Sequence, residues 1–161
     1  MKRLFLVRHA KAEIGGSSIL DHNRKISAEG ICDIKKISNY LKNNNLNPAH
    51  IISSTSTRTL ETINILNETI NGNIYTDPLL YNAHVIDVEK IIKDMPDKYD
   101  SLMIVGHNPS MTNLINKISN INIDYLPTSG IGIVDFNSSW KSINNNGILF
   151  DFICPKKLNQ I

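Results

Sequence analysis

The chain has 161 residues, a formal net charge of +2 and 41% hydrophobic residues, which is typical of a globular protein able to bury a substantial core in one domain. Its charges are interspersed, which argues against nucleic-acid binding, and its longest apolar runs, four or five residues, are too short to span a membrane. The first strand begins too early to leave room for a signal peptide. We therefore expect one domain over residues 1–161, a cytoplasmic location, and neither nucleic acid nor membrane as partner.

The first predicted element is a strand at residues 4–7, whose continuous apolar run indicates burial on both faces. It stops at Arg8 and His9, which must lie where the strand ends, the edge at which open α/β sheets bind ligands. An arginine offers a planar fork to phosphate or carboxylate, and a neighbouring histidine can act as nucleophile or acid/base. The hypothesis is a phosphate site in which His9 attacks phosphorus; the alternative is a solvated charged pair.

A polar loop over residues 11–25 separates this strand from the first predicted helix. The helix is expected from the N-cap Ser27 to about Lys42, with a buried face of Ile31, Ile34, Ile37 and Leu41. A second short strand, at residues 51–52, runs into a hydroxyl-rich segment, residues 53–57, which can cap the next helix.

Arg58 lies in the first turn of that second helix. A positive charge there opposes the helix dipole, which makes Arg58 a candidate ligand for an anion bound nearby. A salt bridge with Glu61 or Glu68 is the alternative explanation of its position.

Residues 74–76 form either a third strand or an extended arm, and a helix is expected from Asp87 until Pro96 ends it. The strand predicted at residues 102–105 leads directly into His107. Asn108 is a good N-cap and Pro109 a good first residue for the following helix. His107 thus repeats the position inferred for His9, close to free helix N–H groups.

The chain closes with two predicted strands, residues 131–136 and 148–153, joined as a hairpin, and a loose tail from Lys156. Cys32 and Cys154 are expected to be buried, and neither has the arginine six positions on that a cysteine-phosphatase loop requires. The alternation of elements predicts an α/β fold in three layers, α/β/α. Its sheet is mostly parallel, with at least one antiparallel strand from the hairpin. In such a sheet the side chains that can converge are Arg8, His9, Arg58 and His107.

These residues carry a resemblance to a known family. Leu-Val-Arg-His-Ala at 6–10 resembles the Arg-His-Gly signature of branch 1 of the histidine phosphatase superfamily, Ser-Ser-x-x-x-Arg-x-x-x-Thr at 53–62 its second arginine motif, and Val-Gly-His-Asn-Pro at 105–109 the segment of its second histidine. Chain length, Asp21-x-x-Arg24, Leu80-Tyr81-x-Ala83 and Pro127-Thr128-Ser129 further resemble the SixA-type phosphohistidine phosphatases. The resemblance implies a phosphoglycerate-mutase-like fold.

It also implies the chemistry. His9 would become transiently phosphorylated, Arg8 and Arg58 would hold the phosphoryl oxygens, and His107 would donate a hydrogen bond to them. Asn108 and Ser129 would contribute to substrate binding. No metal or cofactor is expected, the product is inorganic phosphate, and the implied partner is a phosphorylated protein such as a histidine phosphotransfer domain in a signalling relay.

The chain departs from the family pattern in two places. Ala10 replaces glycine, which is tolerable unless the backbone there has a positive φ. The general acid of larger members is missing from a region that here holds Tyr81, Asn82, His84 and Asp87. Since imidazole leaves easily once protonated, this gap favours phosphohistidine over phosphate esters.

Several alternatives remain open. Without a long insertion between its second arginine motif and its second histidine the chain should have a shallow site, which suits phosphate displayed on a protein surface. The other candidates are a small-molecule phosphomonoesterase, a non-catalytic phosphate-binding regulator and a metal hydrolase. Asp21 and Arg24 either form a structural pair, which we favour, or touch substrate.

Overall fold

A single mixed sheet organises the protein in the computed structural model, which describes residues 1–160. Its strands are β1 Lys2–Arg8, β2 His50–Ser53, β3 Asn73–Thr76, β4 Ser101–Gly106, β5 Ile131–Phe136 and β6 Ile148–Ile153. The helices are α1 Ala28–Asn43, α2 Thr57–Ile70, α3 Val85–Lys93, α4 Ser110–Ile118 and α5 Pro155–Leu158. The strand order is β3-β2-β4-β1-β5-β6. β1 to β4 run parallel, and β5 is antiparallel to both of its neighbours, so the expected mostly parallel sheet is confirmed.

Side chains of the central strands alternate between two hydrophobic cores, because successive residues of a strand point to opposite faces of the sheet. Leu4 and Leu6 pack in one core, which also takes in residues of α3 and α4. Phe5 and Val7 pack in the other, with residues of α1 and α2. The three-layer α/β/α arrangement follows, and the carboxyl ends of β1, β2 and β4 meet at one edge.

Two helix starts differ from expectation. α3 begins at Val85 rather than Asp87, because Asp87 stands at the third helical position and accepts the backbone N–H of His84 at 2.8 Å. α4 begins at Ser110, one residue later than predicted, with Pro109 as its N-cap. Both helices bury their apolar residues, Val88, Ile91 and Ile92 on α3 and Met111, Leu114, Ile115 and Ile118 on α4.

Burial corrects three further expectations. Ile31 is exposed on α1, whose buried apolar face is Ile34, Ile37 and Leu41. Cys32 is also exposed and Cys154 only half-buried, so the prediction that both cysteines are buried is wrong.

Two segments that the sequence left loose or undecided have regular structure. The tail expected to be loose forms α5, and Leu158 packs against the core beneath α1 and α2. The residues left open as strand or arm form β3, parallel to β2 at the sheet edge.

Within residues 1–160, no helix combines the length and the apolarity needed to cross a membrane.

Candidate active site

His9 lies immediately beyond β1, where its backbone N–H donates to the carbonyl of Gly106 at 3.1 Å. Its ring Nδ1 is 2.7 Å from the carbonyl oxygen of Ala10. Because a carbonyl only accepts, Nδ1 carries the ring proton and Nε2 keeps its lone pair. The Nε of Arg58 donates to that Nε2 at 3.3 Å. The nitrogen available for attack is therefore Nε2, and it faces a guanidinium.

Arg58 is buried at the start of α2, with 6% of its surface exposed. Besides His9, its guanidinium donates from Nη1 to the carbonyl of Asp21 at 2.8 Å and from Nη2 to the Asp21 carboxylate at 3.1 Å. The alternative salt bridge with Glu61 or Glu68 is absent from residues 1–160; Glu61 accepts the backbone N–H of Ile26 instead. The anion predicted near Arg58 is thus, in the free protein, the side chain of Asp21.

Arg8 ends β1 and projects a partly satisfied guanidinium to the same edge. Its Nη1 donates to the carbonyl of Leu126 at 3.0 Å, while its Nε is buried without a hydrogen-bond partner in the part of the chain that the structure describes. Burial lowers the pKa of Arg8. A buried donor without an acceptor is costly, and an anion bound beside it would relieve that cost.

His107 occupies the turn between β4 and α4, and its ring lies 5.2 Å from that of His9 between centroids. Its Nε2 is 2.9 Å from the hydroxyl of the buried Ser54, and the Nη2 of Arg58 lies 3.4 Å from its Nδ1. Since a guanidinium only donates, Nδ1 is the acceptor and Nε2–H donates to Ser54. His107 is therefore held in a defined tautomer between Ser54, which follows β2, and Arg58 of α2.

Both imidazoles are neutral at physiological pH. Burial, reinforced by the guanidiniums of Arg58 and Arg8, lowers the pKa of His9 to about 4. Burial together with His9 and Arg58 lowers the pKa of His107 to about 3. The sequence suggested that like charges would keep His9 neutral; in the structure desolvation is the larger cause.

These side chains open onto a pocket of about 310 Å³. Its lining comprises Arg8, His9, Arg58, Asn82, Ala83, His84, His107, Asn108, Pro109 and Ser110. It thus contains three imidazoles and two guanidiniums, but no carboxylate. Among residues 1–160, no three His, Cys, Asp or Glu side chains gather in a metal-binding cluster.

The shifted pKa values predict how the two histidines respond to pH. The ¹⁵N chemical shifts of His9 and His107 should stay those of neutral rings from pH 7.5 to 5.5, and His9 should show the proton on Nδ1. The unfolded chain takes up these protons near pH 6.5. The pKa of each ring is lower in the folded protein than in the unfolded chain. The free energy of unfolding is therefore highest above about pH 6.5 and decreases as the pH falls toward 4. A ring that titrates between pH 6 and 7 in the folded protein would contradict this assignment.

The sequence of this chain matches the model of a known protein family. The model of the histidine phosphatase superfamily, branch 1, matches residues 4–107. The chain belongs to this family. The match includes the strand ends that carry Arg8 and His9, the start of α2 with Arg58, and His107.

Individual relatives agree with this membership. A structure from Agrobacterium tumefaciens, whose assignment as the phosphohistidine phosphatase SixA is itself provisional, superposes with a TM-score of 0.84 at 26% identity, covering 96% of this chain and 99% of that one. The protein histidine phosphatase SixA complexed with tungstate superposes with a TM-score of 0.83 at 20% identity, covering 97% and 99%. An uncharacterized chloroplastic protein of Arabidopsis thaliana is 26% identical, over 87% of this chain and 69% of its own length. The expected phosphoglycerate-mutase-like, SixA-type fold is confirmed, and family and fold make the chain a phosphatase.

The predicted site residues of this histidine phosphatase differ in how they meet the pocket. Arg8, His9, Arg58 and His107 line it together. Asn108 also lines it, but its amide donates to the carbonyl of Leu126 and accepts from Thr112, so it shapes the wall. Ser129 is wholly buried and lies outside the lining. Its backbone N–H donates to the carbonyl of His9 at 3.1 Å, so in the free protein Ser129 holds the backbone of the nucleophile.

Ala10, which replaces the family glycine, fits without strain. Its φ is not positive, and its side chain is wholly buried. Its backbone N–H donates to the hydroxyl of Thr62 at 2.9 Å, and that hydroxyl donates to the carbonyl of Arg58 at 2.6 Å. The residue after the nucleophile is thereby tied to the helix that carries Arg58.

Two neighbours of this group, Ser54 and Asp21, make contacts that sequence reasoning missed. Ser54 was assigned to helix capping, yet it bonds to His107, and the actual N-cap is Ser56. Asp21 receives Arg58, Arg24 and the hydroxyl of Tyr81, the last at 2.7 Å, and these donors hold its pKa well below its usual range. The Asp21–Arg24 pair exists, as favoured, but Asp21 also contacts the site. In the sequence, only the Asp21-x-x-Arg24 and Leu80-Tyr81 motifs indicated that Asp21 lies near the site.

Proposed function

We propose that the protein removes the phosphoryl group from phosphohistidine on another protein, through a phosphorylated His9. The observation that supports this most directly is that His9 Nε2 carries no proton, because the Ala10 carbonyl fixes the ring proton on Nδ1; in the free protein the lone pair of Nε2 accepts from Arg58. Arg58 faces the same nitrogen at 3.3 Å and marks where phosphoryl oxygens would lie.

The first step forms a bond from His9 Nε2 to phosphorus as the bond from phosphorus to the substrate's imidazole breaks. Arg8 and Arg58 carry permanent charge, so they offset the charge on the transferring oxygens without any proton movement. The buried Nε of Arg8, which lacks a partner within residues 1–160, supplies one donor. A water then attacks the phosphorus, releasing inorganic phosphate and restoring neutral His9.

His107 contacts the same phosphoryl group, and the hydroxyl of Ser54 controls which ring nitrogen of His107 carries the proton. In the free protein His107 Nδ1 accepts from Arg58 at 3.4 Å, so it has no proton to give there. When a phosphoryl group engages Arg58, Nδ1 can take up a proton from water while Nε2 releases its proton to water, and the Ser54 hydroxyl then turns to donate to Nε2. His107 then donates to a phosphoryl oxygen.

The choice of phosphohistidine rests on the leaving group. Among the described residues, no carboxylate lines the pocket to protonate a leaving group. An imidazole can leave without such an acid once its second nitrogen is protonated. The chain also lacks a long insertion between α2 and β4 to close over a small molecule. Both features suit a phosphoryl group presented on a protein surface, such as that of a histidine phosphotransfer domain.

The test compares phosphate release from a histidine phosphotransfer domain labelled on histidine with release from a phosphoserine protein. We expect kcat/KM to be at least about 100-fold higher for phosphohistidine, since the pocket lacks the acid that an alkoxide most needs. Equal rates, or faster release from a free sugar or nucleotide phosphate than from either protein, would favour the small-molecule phosphomonoesterase instead.

A further inference from the structure

Asp21 contacts the catalytic group, yet the reaction steps proposed above give it no part. Its carbonyl accepts from Nη1 of Arg58 at 2.8 Å, and its carboxylate Oδ2 accepts from Nη2 at 3.1 Å. The same Oδ2 accepts the hydroxyl of Tyr81 at 2.7 Å, and Oδ1 accepts from Nη1 of Arg24 at 3.1 Å. Hydrogen bonds from Tyr81 and Arg24, with the charge of Arg58, hold the pKa of Asp21 well below its usual range. An ionised carboxylate is therefore shared between two guanidiniums.

The guanidinium of Arg58 divides its donors between Asp21 and the two catalytic imidazoles. Nε donates to His9 Nε2 at 3.3 Å, and Nη2 lies 3.4 Å from His107 Nδ1 as well as 3.1 Å from Asp21 Oδ2. Both imidazoles are neutral, so the carboxylate is the negatively charged partner in this group. An anion that binds at His9 Nε2 therefore meets a guanidinium whose charge is already paired.

Several positive charges act at the position of the nucleophile. Burial is the main cause of the low pKa of His9, and nearby guanidiniums lower it further, those of Arg58, Arg8 and Arg24. Arg58 and Arg24 are both paired with Asp21. Guanidiniums bind inorganic phosphate as well as a substrate phosphoryl group, because both present the same kind of oxygen. A carboxylate among these guanidiniums offsets part of their charge and so weakens the binding of either anion.

We propose that Asp21 is an internal competitor for oxyanions at Arg58, and that its charge limits how tightly inorganic phosphate, the product, binds in the pocket. Asp21 is thus a positioning residue that acts through Arg58 and does not touch the reacting atoms. The inference rests on the proposed function in taking the pocket as a phosphoryl site, but it does not depend on which substrate delivers the phosphoryl group. It gives the loop before α1 a role in product release.

The experiment measures the dissociation constant of inorganic phosphate for the full chain by isothermal titration calorimetry near neutral pH. Asp21→Asn keeps the shape of the side chain and should bind phosphate about tenfold more tightly than the wild type, because it removes one negative charge close to the bound anion. Asp21→Glu keeps the charge and should stay within about threefold of the wild type. Asp100→Asn is the matched control, since it makes the same change beside Lys2, at the opposite end of β4 from the pocket.

The direction of the change separates this role from a structural one. If Asp21 only supported its loop or oriented Arg58, its replacement would weaken phosphate binding, so unchanged or weaker binding by Asp21→Asn overturns the inference. Equal tightening by Asp21→Glu or Asp100→Asn also overturns it, as does the absence of saturable phosphate binding in every variant.

A second variant and a second substrate test keep the result unambiguous. Asp21→Ser removes the same charge with a smaller side chain and repeats the test if thermal unfolding shows that Asp21→Asn is not folded. A wild-type protein that is inactive on phosphohistidine would contradict the proposed function, whereas tighter phosphate binding by Asp21→Asn would still support the present inference.

Discussion

Replacing His9 with alanine should abolish turnover and leave no phosphorylated enzyme. The ring lies at the end of β1 with Nε2 facing Arg58 and Nδ1 bound to the Ala10 carbonyl, and no other pocket group offers a lone pair in that position. Losing a covalent nucleophile typically costs about 10⁴-fold or more in kcat. Rapid quenching with a ³²P-labelled phosphohistidine substrate measures both quantities, since label on His9 should be acid-labile and stable to alkali.

The control for this variant is His50→Gln, which changes a histidine at the opposite end of the sheet, where β2 begins. His50 stacks on Tyr75 with 4.5 Å between ring centroids and lies outside the catalytic pocket. It should retain both turnover and labelling. Continued label incorporation into His9→Ala, with its thermal unfolding unchanged, would assign the nucleophile to another residue.

Strand ends proved the most predictable feature of this protein. The apolar strands that precede Arg8 and His107 are buried on both faces of the sheet, so the polar residues that follow them must lie at the sheet edge. The topology places β1 and β4 side by side, which brings these residues together. Arg58 was predictable for a different reason, because a cation in the first turn of a helix implies an anion nearby. That anion is Asp21, from a loop whose position no periodicity encodes.

The features that escaped prediction depend on contacts between distant segments. Ser54 looks like any residue of a hydroxyl-rich run, and only the packing of β2 against β4 brings its hydroxyl to His107. Nothing in the sequence indicated that the backbone N–H of the buried Ser129 bonds to the carbonyl of His9. His84 was noted only where an acid was missing, because the segment before α3 that brings Asn82, Ala83 and His84 to the pocket has no recognisable sequence pattern.

Replacing Arg58 with alanine should produce the second largest loss. Its guanidinium contacts the nucleophile, His107 and Asp21 at once, so its loss removes a donor from both histidines together. By comparison with removal of a preorganised transition-state donor, we expect about 10²–10³-fold in kcat, or about 2.7–4 kcal/mol. Arg58→Lys should recover only part of this loss, because an ammonium cannot reproduce the fork that reaches two oxygens.

Asp21→Asn is the matched control for Arg58, since it keeps the shape of the partner and removes its charge. Asp21 is half-exposed and its carboxylate occupies Arg58 only until a phosphoryl group competes for the same donors, so its loss should change kcat less than about tenfold. Steady-state kinetics of the three variants on one phosphohistidine substrate, with thermal unfolding of each, measures the difference. If Arg58→Ala loses less than tenfold, or no more than Asp21→Asn, the guanidinium serves to anchor the loop around Asp21, and the charge on the transferring phosphoryl group must be carried by Arg8 alone.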